Sequence, residues 1–296
     1  MSELSKRILV AVVGIPLAVG LILWGGIFFK IFVLVLVWLG ASEFASFIRS
    51  KNPNYKGYVL ILFSILISSA LIFNKKPEII LVSLLILFLF LIIAAFSFNL
   101  KAGPEYSIVS ISGTFAGVIY VGFGFSSIVL LREFNLLLLY WRDIFNQESV
   151  FFTMNFAESI TWGWLVLFVF ISIWVCDSAA YFIGTKFGKN KLLPSVSPKK
   201  SKEGAYAGLA GAIVSFVILA FFFFDDMPIW VALVTGGISG TIGQAGDLAE
   251  SLLKRDAGLK DSSSILPGHG GILDRFDSVL FVFPAILIFY LILSFI

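Results

Sequence analysis

The chain has 296 residues, of which 59% are hydrophobic and 13% charged, with a net charge of +3 and a mean hydropathy of +1.02. Soluble domains carry roughly a quarter charged residues, so composition excludes an ordinary soluble globular fold. The single cysteine, Cys176, has no partner in the chain, which excludes an internal disulfide or a cysteine-built zinc site; a small buried hydrophobe is its expected role.

Apolar runs of about 20 residues suffice for a helix to cross a bilayer, and they recur along the whole length. Nine spans are predicted, at 8–25, 27–48, 57–73, 77–96, 106–131, 161–183, 205–224, 228–246 and 276–296. The expected fold is all-α, a polytopic transmembrane helical bundle within a single domain, 1–296. Lys6 and Arg7 precede the first span, but no small-residue cleavage site follows, so it reads as a retained helix. A glycine pair alone separates it from the second span, as in a tight hairpin. With the N-terminus inside, the segments 1–7, 49–56, 97–105, 184–204 and 247–275 hold sixteen of the 21 Lys and Arg. The other side holds Lys30, Lys75, Lys76, Arg132 and Arg142. The positive-inside rule therefore predicts a cytoplasmic N-terminus. The outward loop 132–160 carries no motif and reads as an interfacial cap.

Two inner segments stand out. "GTKFGKNKLLPSVSPKKSKEG", 184–204, carries six lysines. Its opening fails the phosphate-binding P-loop pattern, because three residues separate the glycines and Asn190 follows the lysine. Topology signalling, lipid-surface attraction and phosphate binding all remain readings of these lysines. Lys199 and Lys200, beside Pro198 and Ser201, are the more distinctive subset.

The second segment, 247–277, holds six acidic side chains and the only histidine, His269. Asp247, Glu250, Ser251 and Lys254 are spaced to share one helical face, with Arg255 beside them, if the eighth span continues inward. Gly268, Gly270 and Gly271 flank His269 and permit backbone conformations that other residues resist. Asp274 and Asp277, three apart, open the last span. Two carboxylate pairs with Lys and Arg between them suit Mg²⁺ held with substrate phosphates, and phosphoryl or nucleotidyl transfer rests mostly on positioning and charge stabilisation. No nucleophile-elbow or Ser-His-acid order suggests acyl transfer. A charged loop between spans is most often merely solvated; the density of acids and bases here argues otherwise. Asp177, about seven residues inside the sixth span, is a costly ionisable group expected to face a partner in the bundle interior. Glu43, near the inner end of the second span, supports functional and structural readings equally.

"SLLKR" at 251–255, "KD" at 260–261 and "LPGHGGILDRFD" at 266–277 together resemble the signature of the phosphatidate cytidylyltransferases, the membrane CDP-diacylglycerol synthases. The likeness, centred on 246–278, extends to Gly246-Asp247, to Ser197-Pro198-Lys199-Lys200 with Glu203-Gly204, and to Asp177 with Tyr181 and Gly184. Ser263 stands where the family usually has glycine. The resemblance implies that CTP and phosphatidate give CDP-diacylglycerol and pyrophosphate with Mg²⁺, with or without a monovalent cation. It implies a homodimer among membrane lipids and no nucleic-acid partner. The implied location is a bacterial inner membrane, with the active site at the cytoplasmic face. On this reading Asp247, Asp274 and Asp277, with Glu250 and Asp177, are the metal candidates. Lys254, Arg255 and Arg275 neutralise phosphate, and His269 hydrogen-bonds a phosphate or the departing pyrophosphate. Ser197, Lys199, Lys200, Lys202, Ser251, Lys260, Asp261 and the backbone of Gly268, Gly270 and Gly271 contact substrate. Two other classes remain open: a CTP-dependent polyprenol kinase, and an anion transporter. The gathering of polar residues on one side counts against the transporter.

Overall fold

The computed structural model describes residues 3–145, 160–265, 268 and 270–294, with side chains described over 12–139, 160–265, 268 and 270–294. His269 and residues 146–159 of the 132–160 loop lie outside the described residues. The chain runs α1 (Glu3–Trp24), α2 (Gly26–Lys51), α3 (Tyr58–Phe73), α4 (Pro77–Ala102), α5 (Ser107–Gly117), a π-helical turn (Val118–Phe123), α6 (Gly124–Arg132) and α7 (Phe134–Phe145). It continues through α8 (Trp162–Phe187), β1 (Lys191–Leu193), β2 (Ser197–Ser201), α9 (Lys202–Phe223), α10 (Ile229–Asp256), α11 (Leu273–Phe276) and α12 (Val279–Leu293).

Local chemistry sets the helix ends. The α1–α2 break is a single residue, with positive φ at Gly25 and Gly26. Pro77 occupies the first turn of α4, where its missing N–H costs nothing, and Gly103 closes the helix with φ 96°. Ser201 caps α9 by accepting from the Gly204 N–H at 3.2 Å.

Among the described residues, five helices are long and apolar enough to cross a membrane: Gly26–Lys51, Pro77–Ala102, Ser107–Arg132, Trp162–Phe187 and Lys202–Phe223. Val12–Trp24, Tyr58–Phe73 and Val279–Leu293 are shorter apolar helices. The predicted eighth span lies within α10, which extends ten residues past its expected end at 246. Three other sequence expectations need adjustment. The lysine-rich segment 184–204 is not all loop, because β1 and β2 pair antiparallel with Lys191 opposite Ser201. The fifth span is continuous but carries the π-helical turn, where the Gly122 carbonyl accepts from Ser126 Oγ at 2.6 Å and from Ser68 Oγ of α3 at 3.0 Å. The last helix starts at Val279, leaving Asp277 in the turn before it.

The chain divides into two compact units. The first comprises Met1–Leu130 with Leu253–Phe276. Its core gathers Val33, Val37, Phe44, Leu60, Val121, Phe125 and Leu273. Lys30 is buried there, and its ammonium bonds the Ile72 carbonyl at 3.0 Å, in the last turn of α3.

The second unit comprises Leu131–Leu252 with Asp277–Ile296. Here α8 and α9 pack along most of their lengths, because small residues let the backbones approach. A Cβ at Gly208 would stand 2.9 Å from the Cys176 carbonyl oxygen, and one at Gly236 would stand 2.7 Å from the Ile213 Cα. Phe134, Trp162 and Tyr290 form an aromatic cluster, with ring centroids 4.7 Å apart for the first pair and 5.4 Å for Trp162 with Tyr290.

The two adjacent glycines of α10 make a paired prediction. A Cβ at Gly236 meets backbone, whereas one at Gly237 meets nothing within 4 Å. Gly236→Ala is expected to lower the melting temperature in detergent, by overpacking of about 1–3 kcal/mol. Gly237→Ala is expected to leave it unchanged or raise it, since alanine favours the helix by up to ~1 kcal/mol.

Candidate functional site

The polar residues singled out in the sequence fall into two clusters, one in each unit. In the first unit the organising group is Glu43 on α2, only 2% exposed. A buried carboxylate is tolerated when its lone pairs are filled, and a carboxylate offers about four acceptor positions. Glu43 has all four filled. Its Oε1 accepts from Ser263 Oγ at 2.6 Å and the Ile272 N–H at 2.8 Å. Its Oε2 accepts from Ser262 Oγ and the Leu273 N–H, each at 2.8 Å. One side chain in the first fifth of the sequence thus pins both ends of a loop some 220 residues away.

That loop builds the seat of Asp274. Its Oδ1 accepts from Lys254 Nζ at 2.7 Å. Its Oδ2 accepts from the N–H groups of Ser262 and Gly271, each at 2.8 Å. The predicted glycine freedom is used here, with φ of 75° at Gly268 and 82° at Gly270. Gly271 has no room for a side chain: a Cβ would overlap Ser262 Oγ and reach within 2.6 Å of both Glu43 oxygens. Its amide approaches Asp274, where the sequence suggested approach to a ligand. Burial alone would raise the Asp274 carboxyl, but the Lys254 ammonium and the two N–H donors outweigh it and hold it below its ordinary value. Arg255, Lys260, Asp261 and Arg275 are exposed on the same unit.

The second unit holds the other cluster. Lys200, on β2, is paired with the Asp247 carboxylate of α10, and Ser251 Oγ lies 3.4 Å from Asp247 Oδ1. Glu250, one turn along the predicted face, is fully buried. Asp277 sits in the turn before α12, its backbone carbonyl against Gly246. Burial, followed by the charges of Asp247 and Glu250, pushes the Asp277 carboxyl up to about 8. Asp177 on α8 is exposed and interacts electrostatically with Asp247 and Lys200. Lys199 and Lys202 are exposed and Ser197 is half-buried. Glu203 braces the base of the hairpin, accepting from Asn190 Nδ2 at 2.7 Å and from the backbone N–H groups of Lys189 and Asn190.

The sequence placed Asp247, Glu250 and Ser251 on one helix, as α10 has them, and expected Asp274 and Asp277 to open one helix, which does not form. The chain breaks its helix after Phe276, and the two aspartates belong to different units. It also left Glu43 undecided, because a single acid in an apolar span gives no signal of a partner 220 residues on. The usable signal was the excess of hydroxyls at Ser262, Ser263 and Ser264, which need acceptors when a loop is buried.

Whether the second cluster suits a hard cation is a matter of donor chemistry and charge. Asp177, Asp247, Glu250 and Asp277 offer only oxygen ligands, as Mg²⁺ requires. The Lys200 ammonium already offsets one of the four acids, and a divalent cation would offset two of the remaining three. The donor chemistry suits such a cation. Among the described residues, no three acidic, cysteine or histidine side chains are drawn together at coordination spacing.

Residues 5–293 match the model of the cytidylyltransferase family, and the chain belongs to that family. It is 32% identical to a phosphatidate cytidylyltransferase of Synechocystis, over 98% of this chain and 97% of the relative. It is 30% identical to the phosphatidate cytidylyltransferases of Staphylococcus epidermidis and Staphylococcus aureus, over 95% of this chain and 96% of each relative.

Two outcomes test the Glu43–Asp274 cluster. Glu43→Gln sets an NH₂ against donors that now meet an oxygen, and is expected to cost about 2–3 kcal/mol. The checks are a lowered melting temperature and faster proteolysis within 257–271. Asp274 has a depressed folded-state value, so its contribution to stability is complete above the ordinary aspartate value of about 4 and is lost as pH falls through the lowered one. The wild-type melting temperature is expected to drop through that acid window, and Asp274→Asn to lack that component of the drop.

Proposed function

We propose that this protein transfers the cytidylyl group of CTP to phosphatidate, yielding CDP-diacylglycerol and pyrophosphate. The observation that carries the reading is full-length membership of the cytidylyltransferase family together with two clusters built from its signature residues. A phosphate oxygen of phosphatidate attacks the α-phosphorus of CTP. The bond from that phosphorus to the bridging oxygen breaks, and pyrophosphate leaves with the electron pair.

The nucleophile belongs to the substrate, so the protein needs no activated serine or cysteine. What remains is to hold charged groups in line, the main task in phosphoryl and nucleotidyl transfer. Asp247, Asp277 and Glu250, with Asp177, are the residues that would hold Mg²⁺, whose role when bound is to offset triphosphate charge. Lys200 gives up Asp247 in exchange for phosphate, and the exposed Lys199 and Lys202 bind the nucleotide as point charges. In the first unit Lys254, Arg255 and Arg275 contact phosphate, while Asp274 presents Lys254. His269 hydrogen-bonds a phosphate or pyrophosphate. Ser197, Ser251, Lys260 and Asp261 and the backbone of Gly268 and Gly270 complete the substrate contacts, the Gly271 N–H being held by Asp274.

Nine spans, an inward N-terminus and a cytoplasmic active site are part of the same proposal. The charge asymmetry of the loops supports them, as does the need for phosphatidate's phosphate and soluble CTP to meet at a headgroup plane. The polyprenol kinase and transporter readings gain no support from the relatives' names.

Purified protein given phosphatidate, Mg²⁺ and α-labelled CTP is expected to place label in the lipid product, whereas γ-labelled CTP leaves lipid unlabelled. A chelator and Asp247→Asn should each reduce turnover at least ~100-fold, on the scale of losing charge stabilisation at a transferring phosphoryl group. Label passing from the γ-position to lipid would replace this reading with a kinase. For topology, Ser264→Cys, at an exposed position of the signature loop, is expected to react with an impermeant thiol reagent only from the cytoplasmic side.

A further inference from the structure

The Glu43–Asp274 cluster contains a hydrogen-bond count that does not close. Ser262 Oγ lies 2.8 Å from Glu43 Oε2 and 3.0 Å from Asp274 Oδ2, both at donor distance. A serine hydroxyl carries one hydrogen. It can donate fully to one of these carboxylates at a time, and the other must be compensated by something else. Glu43 has three further donors, from Ser263, Ile272 and Leu273. Asp274 has the N–H groups of Ser262 and Gly271 and, on its other oxygen, the Lys254 ammonium.

We infer that the Ser262 hydroxyl is a positioning group that frees Lys254 for substrate by swinging its hydrogen from Glu43 to Asp274. The inference rests on the proposed role of Lys254 as a phosphate contact. With Lys254 on Asp274, Ser262 donates to Glu43. When a substrate phosphate draws the ammonium away, a carboxylate whose side chain is only 7% exposed is left with a charge that water cannot solvate. Turning the hydroxyl adds a third donor at Oδ2 and so offsets, through the charge shared by the two carboxylate oxygens, the ammonium withdrawn from Oδ1. Glu43 tolerates the loss because its two backbone donors and Ser263 remain. No proton changes residue and no bond other than hydrogen bonds is made or broken. The cost of releasing Lys254 is thereby lowered at the moment the phosphate needs it.

Ser263 supplies the internal control. Its hydroxyl also donates to Glu43, at 2.6 Å, and no bond links it to Asp274 among those of the cluster. A merely structural role makes the two serines equivalent; the switch separates them. Ser262→Ala is expected to lower kcat about tenfold, the scale of one hydrogen bond to a charged group, while Ser263→Ala lowers the melting temperature comparably and leaves kcat within about twofold. In a Lys254→Met background, Ser262→Ala should bring no further loss, because the step it assists is gone.

The measurements are kcat and KM for the two serine variants and the Lys254 double variant. Alongside them, the rate of Lys254 acylation is followed by mass spectrometry as CTP or phosphatidate micelles are added. Substrate-dependent change in Lys254 reactivity, blunted in Ser262→Ala and retained in Ser263→Ala, supports the switch even if the lipid product is not CDP-diacylglycerol. Equal effects of the two serine variants, or losses that follow their melting temperatures, overturn it. A wild-type protein that responds at Lys254 yet makes no labelled lipid overturns the cytidylyltransferase reading instead.

Discussion

The buried Glu43 carboxylate is the constraint from which the first unit's polar architecture follows. A charge removed from water inside an apolar helix is unfavourable by several kcal/mol unless hydrogen bonds replace its hydration. Four donors do so here, and all four come from one segment, 262–273. The requirement runs both ways. The helix needs the loop to satisfy its acid, and the loop needs the acid to satisfy two backbone N–H groups at the start of α11. Gly271 is the steric price of that closeness, since any side chain there would fill the space of the carboxylate.

From this anchor the chemistry is passed outward in steps. The loop, once fixed, aims two backbone amides at Asp274, and Asp274 then holds Lys254 at 2.7 Å. A lysine on a long flexible stem is a poorly defined charge; an aspartate itself held by three other contacts gives it one position. The second unit uses a different device for a similar end. Lys200, on a strand of the short hairpin, lies on Asp247, and the Glu203 carboxylate ties down the residues leading into that hairpin. In each unit a lysine rests on an aspartate of the signature. On the proposed function, each lysine would exchange its carboxylate for a substrate phosphate.

Packing in the second unit follows membrane rules. Lipid gives no hydrophobic reward for helix association, so close backbone approach and van der Waals contact carry the load. The glycines at 204, 208, 236 and 240 all face backbone or Cβ atoms within about 3 Å of a would-be side chain. Gly236 and Gly240, with Gly237, Gly243 and Gly246, make α10 less apolar than its neighbours, which is why it is the least obvious span by hydropathy. Its continuation to Asp256 puts the signature acids on a rigid element.

Composition and the recurrence of apolar runs were enough to establish a helical membrane-type protein, because burial in hydrocarbon requires such runs whatever the tertiary arrangement. The helical spacing of Asp247, Glu250 and Ser251 and the glycines about His269 were equally legible, since both follow from local geometry. The hairpin at 191–201 was hidden, because strands of three and five residues leave little periodic trace. The end of α11 at Phe276 was hidden too, since the spacing of Asp274 and Asp277 reads as one helical face. Above all, the partners of Glu43 were invisible. A carboxylate in a span declares only that it must be compensated; which residues compensate it depends on how segments 220 residues apart meet, and that is decided by the tertiary structure alone.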